Sequence, residues 1–150
     1  KLMAREKSLK ESIMGIPLVY HLFQNGIRKP SSDVYLAQDI IQPQEGYAVL
    51  DVGCGVGRIR KHLGNVHYVG IDHNSSYIRK AKATYGTTSE FHAADVADVP
   101  SITTSRFDRI LLLAVLHHLA DNQVKQLLTH CRNLLKPDGF VVSFIRDLPI

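Results

Sequence analysis

The chain has 150 residues, 45% of them hydrophobic, and a formal net charge of +4. That length allows one domain with a single sizeable core, and the composition is that of an ordinary globular protein. No apolar run approaches the about 18 residues that a membrane-spanning helix needs. The two distant cysteines, Cys54 and Cys131, form neither a disulfide framework nor a C-x-x-C metal site, so the expected compartment is a reducing cytoplasm.

Residues 1–27 read as helical, with Pro17 suited to a helix start and Gly26 to an end. A loop over 29–32 follows, and Ser32 or Asp33 can cap a helix over 34–41 with Leu36 and Ile40 on one face. Pro43, Gln44, Glu45 and Gly46 make a turn into the first strand of the core. From there strands and helices alternate. The strands are short apolar runs at 49–52, 68–72, 90–94, 107–114 and 140–144. The most regular helix spans 122–135, with Asp121 as cap and Val124, Leu127, Leu128, Cys131, Leu134 and Leu135 on one stripe. Such alternation implies a doubly wound, mostly parallel α/β sheet of Rossmann-like type, covered by helices on both faces. The basic clusters Arg58, Arg60, Lys61 and Arg79, Lys80, Lys82 fall on predicted helices and read as solvated faces. Without interleaved aromatics they do not make a nucleic-acid surface.

The most informative stretch is residues 49–57, where an apolar strand ends at Asp51 and runs into Gly53, Cys54, Gly55, Val56 and Gly57. This is a strand entering a tight turn that opens a helix over 58–63. Glycine there lets main chain approach a ligand, because no Cβ intervenes and positive φ costs little. A nicotinamide-dinucleotide loop would carry a third glycine where this chain has Arg58. A second run ends in Asp72, about twenty residues after Asp51, which is the spacing of a β-loop-α-β unit. A carboxylate at that strand end can accept from both hydroxyls of a ribose. A third run ends in Asp95; the fourth leads into Val115, Leu116, His117, His118 and Leu119; and Leu134-Leu135-Lys136-Pro137-Asp138-Gly139 precedes the fifth.

These five motifs, in this order, resemble those of class I S-adenosylmethionine-dependent methyltransferases, over roughly two thirds of the chain. The resemblance implies strand order 3-2-1-4-5 and a seven-strand fold of which the first five strands are legible. The last two are not found, so the sequence reads as a trimmed or fragmentary chain. One domain is expected, with a helical cap over 1–45 and a cofactor-binding core over 46–150. The resemblance also implies S-adenosylmethionine as cofactor. Gly53, Cys54, Gly55 and Gly57 would then face it, Asp72 would take the ribose, and His73 would pack against the adenine. Asp95 would reach the adenine amino group, the N–H of Val96 a ring nitrogen, and Ala114 with Val115 the methionine end. Asp51 has two roles open to it: accepting the N–H groups of the glycine loop, which is preferred, or approaching the sulfonium end through water.

The implied reaction is methyl transfer by direct displacement. Binding must hold nucleophile, methyl and sulfur in line while excluding water. His117 and His118 are the candidate general bases, since an imidazole titrates near neutrality. The acceptor is expected to be a small molecule, covered by the N-terminal segment and the stretch after Leu116, with Tyr20, His21, Phe23 and Tyr35 as candidate lining. No metal site is legible. Two other functions fit parts of the pattern: a non-catalytic module that binds the cofactor or its demethylated product, and a nicotinamide-dependent oxidoreductase, against which Arg58 counts.

Overall fold

A computed structural model of the protein describes residues 33–145 together with the backbone of a strand at Val19–Phe23. Six strands form one sheet: β1 (Val19–Phe23), β2 (Ala48–Val52), β3 (His67–Asp72), β4 (Ser89–Ala93), β5 (Phe107–Leu113) and β6 (Leu135–Ile145). Their order is β1-β6-β5-β2-β3-β4, and every pair is parallel. The strands from β2 onward thus reproduce the expected 3-2-1-4-5 order, with the reversal of direction between β2 and β5. At such a switch point the connections leave in opposite directions and open a crevice at the carboxyl ends of the strands.

The helical reading of residues 1–27 is corrected at β1. Val19 to Phe23 pair in register with Val141 to Ile145 and extend the sheet beside β6. Val, Tyr, His, Leu and Phe in succession carry β-branched and aromatic preference, and the free edge of β6 supplies the hydrogen-bond partners that an isolated segment lacks. The remainder of that reading, with Pro17 and Gly26, lies outside the described residues.

Helix α1 (Asp33–Tyr35) continues as a π-helix over Leu36–Ile41 and buries Ala37 and Ile41 rather than the expected Leu36 and Ile40, which are half-buried. Helix α2 (Ser75–Tyr85) is capped by Asn74, whose Oδ1 accepts from the N–H groups of Ser76 and Tyr77 at 3.0 and 3.3 Å. A single turn, α3 (Val99–Ile102), leads to β5, and α4 (Asp121–Leu134) follows it. Asp121 is the first residue of α4 rather than its cap. Ala120 holds the cap position, and its N–H donates to Gln123 Oε1 at 2.9 Å.

Alternation along the strands sorts the core into two layers. Leu50, Val52, Ile71, Ile110, Leu112 and Val141 face α4, whose Val124, Leu127, Leu128, Cys131 and Leu134 form the predicted stripe. Leu135, read as the end of that stripe, opens β6 and is also buried. On the other face Val49, Tyr68, Leu111 and Val142 pack under Ala37, Ile41, Ile59, Leu63, Ile78 and Ala81. Each large side chain so enclosed contributes about 1.5–3 kcal/mol, which holds the sheet, and with it the loops at its carboxyl edge, in fixed relation. Among the described residues no helix is long and apolar enough to cross a membrane.

Candidate functional site

Because all strands run the same way, the loops after β2, β3, β4 and β5 emerge at one edge, and every site residue proposed from the sequence lies on or beside them. The turn after β2 is shaped by positive φ at Gly53 (+82°), Gly55 (+56°) and Gly57 (+78°). The N–H groups of Gly53 and Cys54 both donate to the carbonyl of Ile71, at 2.7 and 3.0 Å, which ties the turn to the end of β3. A Cβ on Gly53 would lie 3.1 Å from Cγ2 of Val115, so this turn and the loop after β5 touch. A Cβ on Gly55 would meet nothing within 4 Å. The main chain at Gly55 therefore presents an open side.

The expected helix over 58–63 is reduced to a 3-10 turn at Arg60–His62. The segment is confined between Gly57 and Gly64, whose φ of +68° ends it. It is too short for a regular helix, so the turn does not feed a helix N-terminus. The cluster Arg58, Arg60, Lys61 divides accordingly. Arg58 is exposed and pairs with Asp33 at 3.3 Å, whereas Arg60 is buried, donating to Ser89 Oγ at 2.6 Å and to the Gly64 carbonyl at 2.9 Å.

Asp72 is 9% exposed, and each of its oxygens accepts a main-chain N–H at 2.8 Å, Oδ2 from Gly55 and Oδ1 from Asn74. This corrects the role preferred for Asp51. The acid that orders the glycine loop is Asp72. Asp51, 2% exposed, instead takes the Tyr68 hydroxyl on Oδ2 at 2.6 Å, while Oδ1 is enclosed without a hydrogen-bond partner among the described residues. Burial pushes the Asp51 carboxyl up to about 7; the Tyr68 hydrogen bond pulls it back and the negative charge of Asp72 adds to the rise. Burial also pushes the Tyr68 phenol well up, so it stays a donor, and raises the Cys54 thiol, so it stays protonated.

The other residues line the same edge. His73 is exposed, with Nδ1 3.7 Å from Asp72 Oδ1. Ala94 donates its N–H to the Asp72 carbonyl at 3.0 Å, which brings the start of the next loop alongside. Asp95 is exposed, and its Oδ1 accepts from Ala97 N–H at 3.0 Å, opening a 3-10 turn at Val96–Asp98. Beyond β5, Ala114 has a φ of +58°, a left-handed conformation that a non-glycine residue adopts at a cost of about 1–3 kcal/mol and that clusters at functional sites. His117 and His118 fall in the 3-10 turn Leu116–His118, their ring centroids 3.9 Å apart, His118 exposed and His117 half-buried. Of the acceptor-lining candidates, Tyr35 is 40% exposed on α1, while the side chains of Tyr20, His21 and Phe23 lie outside the described residues. A cavity of about 450 Å³, lined by Gln42, Gln44, His62 and Gly64 among others, opens ahead of β2 and β3. It is at the opposite edge of the sheet, away from these residues.

Three features escape a reading of the sequence. They are the hydroxyl of Tyr68, the inward Arg60 and the strained Ala114. The first had a usable signal, since an aromatic with a polar tip, two residues before a glycine in a strand, is placed to reach a neighbour across the gap.

A parallel sheet with this order, a glycine turn after its central strand and an acid ending the next one define a Rossmann-like α/β domain. Residues 49–139 match the family described as a methyltransferase domain, and the chain belongs to that family. It is 31% identical over 113 residues to the ubiquinone biosynthesis O-methyltransferase of Chelativorans sp. (strain BNC1), covering 71% of this chain and 44% of that protein. It is 32% identical over 105 residues to the protein of the same name from Cereibacter sphaeroides (strain ATCC 17029 / ATH 2.4.9), covering 67% and 41%. Among solved structures it shares its fold with Haemonchus contortus phosphoethanolamine N-methyltransferase 1, in complex with phosphoethanolamine and S-adenosylhomocysteine. The TM-score is 0.62 at 19% identity, over 73% of this chain and 24% of that one. The chain spans less than half the length of each of these relatives.

Proposed function

We propose that this domain binds S-adenosylmethionine at the carboxyl edge of β2 and β3 and transfers its methyl group to a small-molecule acceptor, most simply at an oxygen. The observation that carries this reading is the clamp between Gly55 N–H and Asp72 Oδ2 beside an open side of main chain. It sets a bare backbone surface and a carboxylate next to one another. A carboxylate offers about four lone-pair directions, and two are used by Gly55 and Asn74, so two remain for the hydroxyls of a ribose. His73 lies beside that position for the adenine ring, and Asp95 Oδ2 with the Val96 N–H are the groups for its edge. Ala114 and Val115, held against Gly53, line the methionine end together with Cys54 and Gly57. When bound, the cofactor supplies an electrophilic methyl on a sulfonium sulfur. The chain's own part is to hold the acceptor in line, to exclude water and to take a proton from the acceptor heteroatom at an imidazole nitrogen of His117 or His118. The oxygen acceptor is inferred from relatives named O-methyltransferases. A cytoplasmic location is in keeping with two cysteines that are buried and unpaired, and one folded unit over 46–150 is in keeping with the continuous sheet.

Titration calorimetry with S-adenosylmethionine, S-adenosylhomocysteine and NAD, followed by a methyl-transfer assay over phenols and amines, tests this reading. The expected result is binding of the first two and loss of about ten- to a hundredfold in affinity in Asp72→Ala, the equivalent of about 1–3 kcal/mol. Binding of NAD alone, or full affinity in Asp72→Ala, refutes it.

A further inference from the structure

Asp51 and Tyr68 form an enclosed pair directly below the glycine turn. The register sets Asp51 opposite Gly70 on β3 and Leu111 on β5. Gly70 leaves the facing space to its neighbours: a Cβ there would lie 2.8 Å from Phe91 Cδ1 and 2.9 Å from Cys54 Sγ. Tyr68 lies two residues earlier on the same face, so its ring runs along the sheet and its hydroxyl meets Asp51 Oδ2 at 2.6 Å. The ring itself is fixed against Phe91, centroids 5.6 Å apart. With one oxygen so held, Oδ1 is buried and without a partner among the described residues. An enclosed carboxylate oxygen left in that condition is costly unless a proton or a positive ligand compensates it. The titratable and charged groups that face the pair are Asp72 at the end of β3, Cys54 in the turn and Arg60, whose guanidinium stands 5.8 Å from the Tyr68 ring centroid. Arg60 is already engaged by Ser89 and Gly64, and none of the three donates to Asp51.

We propose that Tyr68 is a positioning residue of the cofactor site: its O–H holds Asp51 in one orientation beneath the glycine turn, so that loss of the Asp51 proton is coupled to binding of a positively charged cofactor. This rests on the S-adenosylmethionine reading above. The proton leaves to solvent and the sulfonium supplies the compensating charge. The demethylated product has a neutral thioether in that place and gains less from the ionised acid. Asp51, pushed by burial to about 7, changes charge in the range where this matters, so the chain favours substrate cofactor over product increasingly as pH rises.

Calorimetry of the ligand complexes between pH 6 and 8, in buffers of different ionisation enthalpy, reads both affinity and protons released. For the wild type the affinity for S-adenosylmethionine is expected to rise about tenfold across that range, with proton release below pH 7 and a smaller change for S-adenosylhomocysteine. Tyr68→Phe keeps the ring but removes a hydrogen bond to the carboxylate, so the profile should move to higher pH. Asp51→Asn should lose the proton release, leaving only what His73, His117 and His118 contribute. Superimposable profiles for wild type and Tyr68→Phe, with both variants shown folded by thermal melting, overturn the inference. So does proton release in Asp51→Asn equal to that of the wild type. Binding that ignores pH overturns this inference alone, whereas no binding of S-adenosylmethionine at any pH overturns the cofactor reading and this inference with it.

Discussion

Asp51→Asn should make the ligand-free protein less sensitive to rising pH. The Asp51 carboxyl is 2% exposed and sits at about 7 in the folded chain against an ordinary 3.8. A folded value raised above the unfolded one means that folding takes up a proton. The associated stability is fully present below pH 3.8 and is lost as pH rises through about 7. At about 1.4 kcal/mol for each pH unit, the whole difference is worth about 4 kcal/mol, and about 3 of that falls between pH 5 and 8. The amide of Asn does not titrate and can still accept from Tyr68. Urea unfolding of both proteins at pH 5, 6, 7 and 8 gives the comparison, because the other carboxylates and histidines contribute to both and cancel in the difference. The mutant is expected to gain about 3 kcal/mol on the wild type from pH 5 to 8, with the gain levelling above. A difference that stays flat across the series would refute the claim that Asp51 holds its proton in the fold, and with it the account of an uncompensated oxygen.

Two further substitutions separate binding from packing. Gly55→Val places a branched side chain on the open side of the turn, at a φ of +56°. It should abolish cofactor binding in calorimetry while far-ultraviolet circular dichroism stays native; full binding would remove the turn from the site. Gly70→Ala puts a Cβ within 3 Å of Phe91 and Cys54, an overpacking expected to cost about 1–3 kcal/mol. Denaturant midpoints measure it, and an unchanged midpoint would mean that Phe91 moves aside freely.

What was legible in the sequence follows from what each signal depends on. Motifs that end a strand in an acid or a glycine turn are local, and five in order specify which strands are neighbours through the handedness of the crossovers. The sheet order and the gathering of residues 53–57, 72–73, 95–96 and 114–118 at one edge therefore came through. The apolar stripe of α4 did so for the same reason, since its period of 3.6 is read over four turns. The five residues of β1 carry no period long enough to separate strand from helix, and their state was decided by an edge elsewhere in the chain. Arg60 reads as one of a basic cluster, and only the shortness of the segment between Gly57 and Gly64 turns it inward.

The exchange of roles between Asp51 and Asp72 has a geometric cause that spacing alone does not carry. Both acids end, or nearly end, a strand, so a linear reading assigns the loop to the nearer one. In the sheet, Asp51 is not the last residue of β2: Val52 follows, and alternation turns the Asp51 side chain into the layer shared with Val49 and Tyr68. Asp72 is the last residue of β3, on the neighbouring strand, where its carboxylate can face the turn from the side and reach both Gly55 and Asn74. The difference of one residue at the strand end decides which carboxylate is solvated by main-chain N–H groups and which is left to a single phenol. It also divides the work: the acid that two N–H groups solvate is suited to neutral hydroxyl donors, and the acid starved of donors is suited to a positive charge.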